Sequence, residues 1–207
     1  MIKRKAIILL SGGLDSVASL SVAREKYDVS LALTFDYGQQ AFKQEKTAAG
    51  KIAGYYNIEH KIIKLDWLEE LFSDSSGWIP NRNALFINIA AAFADTGNSP
   101  YKYIIIGANK EEAGTFTDNS AEFIKAVNKS LKHSTNSKIQ VLAPMIDKDK
   151  SEIIRAALKF SAPVRYMYSC YSGTDRHCSE CESCIRLKRA IESLENDSKN
   201  ELMGYLF

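Results

Sequence analysis

The chain has 207 residues, 45% apolar and 25% charged, which excludes a disordered or fibrous protein and suffices for one domain with one substantial core. Its 27 basic and 25 acidic residues leave a net charge of +2, with no electrostatic push toward nucleic acid or a membrane surface. No apolar run approaches the length of a membrane span, and the short run Ala6 to Leu10 leads into Ser-Gly-Gly rather than a cleavage site, so a cytoplasmic location without a signal peptide is expected.

Ala6 to Leu10 is rich in β-formers without polar alternation, the pattern of a strand covered on both faces. Leu14, Val17, Ala18 and Val22 follow at helical spacing. Val29 to Phe35, Lys61 to Leu65 and Tyr103 to Ile106 repeat the strand pattern, with helical patterns at residues 44–56 and 84–94 between them. Such alternation predicts an α/β fold, a Rossmann-like doubly wound parallel sheet with helices on both faces. Further helices are expected near Ala121 to Leu131, Ser151 to Phe160 and Cys184 to Leu194, with loops at residues 73–78 and at "NDSKN", Asn196 to Asn200. Trp67 and Trp78 are expected to be packing residues. The division expected is a nucleotide-binding α/β part, residues 1–165, and a metal-binding helical region of the same domain, residues 166–207.

The first strand-to-helix turn reads "LSGGLDS", Leu10 to Ser16. In an open parallel sheet, ligands bind beyond the carboxyl ends of the strands, and phosphate is held at this first turn. Gly12 and Gly13 let the backbone bend and approach an anion. Ser11 and Ser16 add hydroxyls, and the following helix aims its free N–H groups and positive end at the same point. A Walker A lysine and the third glycine of a dinucleotide fingerprint are both missing. Asp15 would repel phosphate but suits a magnesium ion bridging pyrophosphate oxygens. The run resembles the pyrophosphate loop, or PP-loop, of the ATP pyrophosphatase superfamily, which includes GMP, asparagine, argininosuccinate and NAD synthetases and tRNA thiolation enzymes. That resemblance implies ATP and Mg²⁺, with Leu10, Ser11, Gly12, Gly13, Leu14, Asp15 and Ser16 at the nucleotide and Ser11, Asp15 and Ser16 among the catalytic residues.

The four cysteines are spaced Cys170-x7-Cys178-x2-Cys181-x2-Cys184. In a reducing compartment such a cluster favours a metal over disulfides. Four thiolates suit one closed, structural Zn²⁺ site with no catalytic step. An iron–sulfur run would continue to a cysteine followed by proline, whereas Ile185 and Arg186 stand here. His177 is expected to be a loop residue or one that faces substrate.

Five further stretches extend the comparison over nearly the whole chain: "DYGQ" (Asp36 to Gln39) with Glu45 beyond it, "IPNRNALF" (Ile79 to Phe86), "GAN" (Gly107 to Asn109) with Asp118, Glu122 and Phe123, "APMIDKDKSEII" (Ala143 to Ile154), and "YSCY" (Tyr168 to Tyr171). Together with the PP-loop and the cysteines they resemble the 7-cyano-7-deazaguanine synthase family of queuosine biosynthesis. The resemblance implies ATP-dependent conversion of 7-carboxy-7-deazaguanine and ammonia to the nitrile by a homodimer, with no nucleic-acid partner. It places Asp36 and Tyr37 at the nucleotide, Arg82, Asn83, Asn109 and Asp118 at the substrate, and Arg82 and Lys150 in catalysis. Each has a plainer counterpart: Arg82 as a surface ion-pair partner, Asp36 as the start of a turn, Lys150 as a solvated helix entry.

One departure bears on substrate. Where the family carries a "SGYPDCR"-like run, residues 114–120 read "GTFTDNS", with Asn119 and Ser120 in place of cysteine and arginine. A ligase acting on another carboxylate is therefore the serious alternative. A tRNA thiolation enzyme needs a reactive cysteine and basic surface, and a metal-binding module with a dead loop does not explain the intact PP-loop residues.

Overall fold

The computed structural model describes residues 3–71 and 79–207; the polar run 73–78, with Trp78, lies outside them. In chain order the elements are β1 (Arg4–Leu9), α1 (Leu14–Ala23), β2 (Tyr27–Asp36), α2 (Phe42–Tyr55), β3 (Glu59–Lys64), α3 (Arg82–Asp95), β4 (Tyr101–Ile105), the single turn α4 (Lys110–Ala113), α5 (Ala121–Ser134), β5 (Gln140–Leu142), α6 (Lys150–Lys159), α7 (Glu182–Glu192) and α8 (Asn196–Leu206). The five strands form one parallel sheet in the order β3-β2-β1-β4-β5.

Side chains leave the inner strands alternately toward two apolar layers. Ala6 and Ile8 of β1, Val29 and Ala32 of β2, and Tyr103 and Ile105 of β4 meet α1, α2, α6, α7 and α8. Ile7, Leu31, Leu33, Phe35 and Ile104 meet α3 and α5 on the other face. Two bulges adjust this alternation. Ala6 pairs with Val29 while Ile7 pairs with Leu31, leaving Ser30 as the extra residue, and Lys102 is skipped between Tyr101 and Tyr103 in the same way. Val29 and Leu31, two apart, thereby face opposite layers.

The strand order places the site. β1 sends the chain into α1 on one face, whereas the chain leaving β4 reaches α5 on the other, so their following turns diverge and open a crevice beyond the two carboxyl ends. α1 is buried along nearly its whole length between the sheet and α6, which makes it a rigid base for its own first turn.

Some expectations fail. The stretch Lys61 to Leu65 does not form a strand covered on both faces: β3 lies at the sheet edge and none of its residues is fully buried. Asn196 to Asn200 is not a loop but the start of α8, because Leu202 and Leu206, four apart, bury one face of that helix. Trp67 is 53% exposed, since the 3₁₀ turn Asp66–Leu71 seats Leu68 instead. Among the described residues no helix is long and apolar enough to cross a membrane.

Candidate nucleotide and metal sites

Gly12 closes the turn after β1 with φ 85°, a conformation that disfavours a side chain. A Cβ there would also lie 2.8 Å from Ala48 Cβ and 3.0 Å from Ala49 N, so α2 presses directly on the turn. Gly107 is required from the other side, because its Cβ would fall 2.6 Å from Ser16 N and 2.9 Å from the Asp15 carbonyl carbon. Between them, Ser16 Oγ donates to Gly13 O at 2.9 Å and lies 3.3 Å from Ser11 Oγ, which accepts from Gly13 N at 3.3 Å. Leu10 and Leu14, at 1% and 2% exposure, turn their side chains into the core and offer the site only backbone.

Asp15 stands in the first turn of α1 and meets Lys150, the first residue of α6. Lys150 Nζ lies 2.5 Å from Asp15 Oδ2 and 2.9 Å from Glu112 Oε1. Lys150 is 7% exposed, so the solvated helix entry is excluded for its side chain; the Asp149–Glu152 capping box fixes the start of α6. Burial pushes Lys150 down, but the two carboxylates outweigh it and hold the ammonium above its ordinary value. Burial raises Asp15, against the opposing pull of Lys150. For Glu112 burial also acts upward, but the Lys150 charge wins and leaves it below the usual range. Asp15 Oδ1 is buried without a hydrogen-bond partner, an oxygen available to a hard cation, and the residues present therefore fit Mg²⁺.

A second group forms after β2. Gln39 Nε2 donates to Phe35 O and Glu45 Oε2, both at 2.9 Å, and its Oε1 accepts from Tyr37 N at 2.9 Å, which pins the "DYGQ" turn to α2. Asn81, in the left-handed region at φ 60°, turns the chain into α3, and Arg82 Nη1 donates to Tyr37 OH at 2.9 Å. The guanidinium sits 5.2 Å from the Tyr37 ring centre. Burial lowers the Arg82 pKa, but Tyr37, Glu45 and Asp118 together raise it, so Arg82 is a fixed cation rather than a surface partner. Burial raises Glu45 and Tyr37 as well. Asp36 closes β2, and its carbonyl accepts from Leu65 N at 2.7 Å.

The expected substrate residues fall into two settings. Asn83 N and Nδ2 donate to Asp118 Oδ2 and to the Asp118 carbonyl, each at 3.2 Å, so this pair fastens α3 to the 114–120 loop. Asn119 Oδ1 accepts from Asn83 at 3.4 Å, and Ser120 caps α5 at Phe123 N. Asn109, fully buried, caps α4 through Glu112 N at 3.0 Å, and its Nδ2 has no hydrogen-bond partner.

All four cysteine Sγ atoms lie within 4.8 Å of one another, and Cys178 and Cys184 are 3.9 Å apart. Four thiolates around a tetrahedral zinc would be about 3.8 Å apart, so the set fits one ion. Ser179, at φ 68°, bends the knuckle so that Glu180 N and Cys181 N both donate to Cys178 Sγ, at 3.4 and 3.3 Å. The backbone N–H groups of Cys181 and Glu180 bring the Cys178 thiol down to about 6.

The model of queuosine biosynthesis protein QueC matches residues 5–77 and 73–195. The chain belongs to the QueC family. A 7-cyano-7-deazaguanine synthase of Methanosarcina barkeri is 42% identical over 219 residues, covering 91% of this chain and 94% of the relative. One from Carboxydothermus hydrogenoformans is 44% identical, covering 90% and 97%. Among solved structures, NMN synthetase from Francisella tularensis superposes with TM-score 0.57 at 17% identity, covering 98% of this chain and 83% of the other. A 4-thiouridine synthetase–RNA complex with bound ATP gives TM-score 0.55, also at 17%, covering 98% and 52%. At that identity the likeness is one of fold.

In this QueC-family chain two contributors escaped sequence reasoning. Glu112 holds Lys150, and only the acidic pair Glu111–Glu112 after "GAN" hinted at it. Glu111 Oε1 accepts from Lys150 N at 2.8 Å and Oε2 from Arg189 Nη2 at 3.0 Å, tying α6 to α7. His177 lies in a loop, as expected, but a buried one: it is 7% exposed, with Nε2 accepting from Ser169 N at 3.0 Å and Nδ1 donating to Leu206 O at 2.9 Å.

Proposed function

We propose that this chain joins ammonia to 7-carboxy-7-deazaguanine with ATP and yields 7-cyano-7-deazaguanine, the product named for its relatives. The observation that carries the reading is the juxtaposition beyond β1: the glycine turn, the start of α1, and the buried Lys150–Asp15 pair meet at one point. That arrangement suits a nucleotide's phosphates. The backbone of Gly12 and Gly13 lets them approach, the helix start attracts their charge, and Lys150 anchors the Asp15 carboxylate at the same point. Mg²⁺ at Asp15 would neutralise charge on the phosphate oxygens.

A carboxylate resists ammonia because it must expel an oxide. In the proposed sequence its oxygen attacks the α-phosphorus, forming one P–O bond while the bond to pyrophosphate breaks. Ammonia then adds to the carboxyl carbon, AMP departs and a proton is lost, leaving the amide. The amide oxygen attacks a second ATP at the α-phosphorus, again releasing pyrophosphate. Loss of AMP and the remaining N–H protons leaves the nitrile. The protein's contribution is placement and charge: Arg82, held by Tyr37, is a fixed cation, and Lys150, bonded to both Asp15 and Glu112, fixes the carboxylate that would hold the metal.

One zinc at the four cysteines, a homodimer, a cytoplasmic setting and the boundary at residue 165 belong to the same proposal. Residues after 165 share the core layer of β1, with Met167, Tyr168, Cys184 and Leu187 packed among Ala6 and Ile8, which supports a single domain. Incubation with ATP, Mg²⁺, ammonium and the carboxy-deazaguanine should release the nitrile, AMP and pyrophosphate, read by mass spectrometry. AMP release with a different acid but not with this one would favour the alternative ligase. The specific observation behind that alternative is that Asn119 and Ser120 are committed to hydrogen bonds with α3 and α5 and offer no cation.

A further inference from the structure

Ser169 reaches the nucleotide turn from 155 positions away in sequence. Its Oγ accepts from Leu14 N, the first helical amide of α1, at 3.1 Å, where the N-cap Gly13 has no side chain to offer. A Cβ built on Gly13 would lie 3.4 Å from Ser169 Oγ and 3.5 Å from Ser11 Oγ, so the two hydroxyls flank that residue. A serine hydroxyl has one proton to give as well as lone pairs, and among the described residues the proton of Ser169 meets no acceptor.

The position of this hydroxyl is set by its own segment. Ser169 N donates to His177 Nε2 at 3.0 Å, His177 is held by Leu206 O, and Tyr168 N donates to Gly12 O at 2.9 Å. Cys170, one of the four clustered thiols, follows directly. The strap Tyr168–Cys170 thus runs from the cysteine site to the PP-loop.

We infer that Ser169 is a third hydroxyl of the phosphate cradle, beside Ser11 and Ser16, placed by the strap from the four-cysteine site so that it donates a hydrogen bond to a phosphate oxygen of the bound nucleotide. The inference rests on the nucleotide reading proposed above. A hydroxyl donating to an anionic oxygen makes a charge-assisted bond, stronger than the one it makes as a cap.

Calorimetry with a non-hydrolysable ATP analogue and Mg²⁺ on the zinc-loaded wild type, Ser169→Ala and Ser169→Thr tests it, with metal content and unfolding midpoint measured alongside. Ser169→Ala should bind about tenfold more weakly and Ser169→Thr, which keeps the hydroxyl, within about threefold of wild type. All three should hold equal metal. Unchanged affinity in Ser169→Ala overturns the inference even if its midpoint falls, since that is the behaviour of a cap alone. A threonine variant as weak as the alanine variant overturns it too. A folded, metal-loaded wild type that takes up no nucleotide removes the functional reading itself, and this inference with it.

Discussion

Lys150 Nζ lies 2.5 Å from Asp15 Oδ2 and joins residues 135 positions apart beside the glycine turn after β1. Glu112 completes the cluster, so one ammonium offsets two buried carboxylates. Lys150→Met should therefore destabilise the protein by about 3–5 kcal/mol in urea unfolding, because an uncompensated buried charge costs more than the pair contributes. Adding Asp15→Asn should return part of that loss, since the sites are coupled. A single-variant loss below about 1 kcal/mol would show that the cluster is solvated after all.

Two glycines separate close approach from simple flexibility. Gly107→Ala would put its Cβ against the backbone of Ser16 and Asp15. It should displace the start of α1, reducing turnover sharply and costing about 1–3 kcal/mol. Gly54→Ala, inside α2 with nothing within 4 Å of the new Cβ, should leave turnover intact and add about 0.5–1 kcal/mol. Equal thermal shifts for the two would contradict the packing described at Gly107.

The cysteine set predicts about one zinc per chain by elemental analysis. Cys184→Ser should lose that metal and lower the melting temperature, and chelation should do the same to the wild type, because the binding free energy of a structural site is folding free energy. Iron with visible absorbance, or a chelated protein that melts as before, would refute the assignment.

His60 offers a pH test. Its Nε2 lies 2.8 Å from Thr34 Oγ1, whose own proton goes to Leu10 O. Burial, with Lys46 adding to it, lowers its pKa below the ordinary 6.5. The folded state then binds fewer protons than the unfolded one, so this contribution is complete above 6.5 and is lost as pH falls from there through the folded value. The melting temperature of His60→Gln should fall less than that of wild type between about pH 7 and pH 5. Parallel curves for the two proteins would exclude the effect.

Much of the site was legible because its signals are local. The strand-glycine-helix run at Leu10 to Ser16 and the paired x2 spacings of the cysteines are set within a few residues, and both appear where they were expected. β5 was missed because three residues, Gln140–Leu142, carry too little pattern, and α8 because two leucines among polar residues suffice once a core is there to receive them.

The amino-acid order by itself determined which segments bend, which bury and which thiols can share an ion, because these follow from backbone freedom, apolar period and spacing along a short stretch. Only the packed chain decided that Lys150 meets Asp15, that Glu112 holds it, that Asn83 fastens Asp118, and that Ser169 meets the first amide of the first helix. Those encounters join positions far apart in sequence. They exist because the parallel sheet brings the ends of β1 and β4 together while α6 and the cysteine segment pack over α1, and no local pattern encodes a distance between segments that only a shared core can bring into contact.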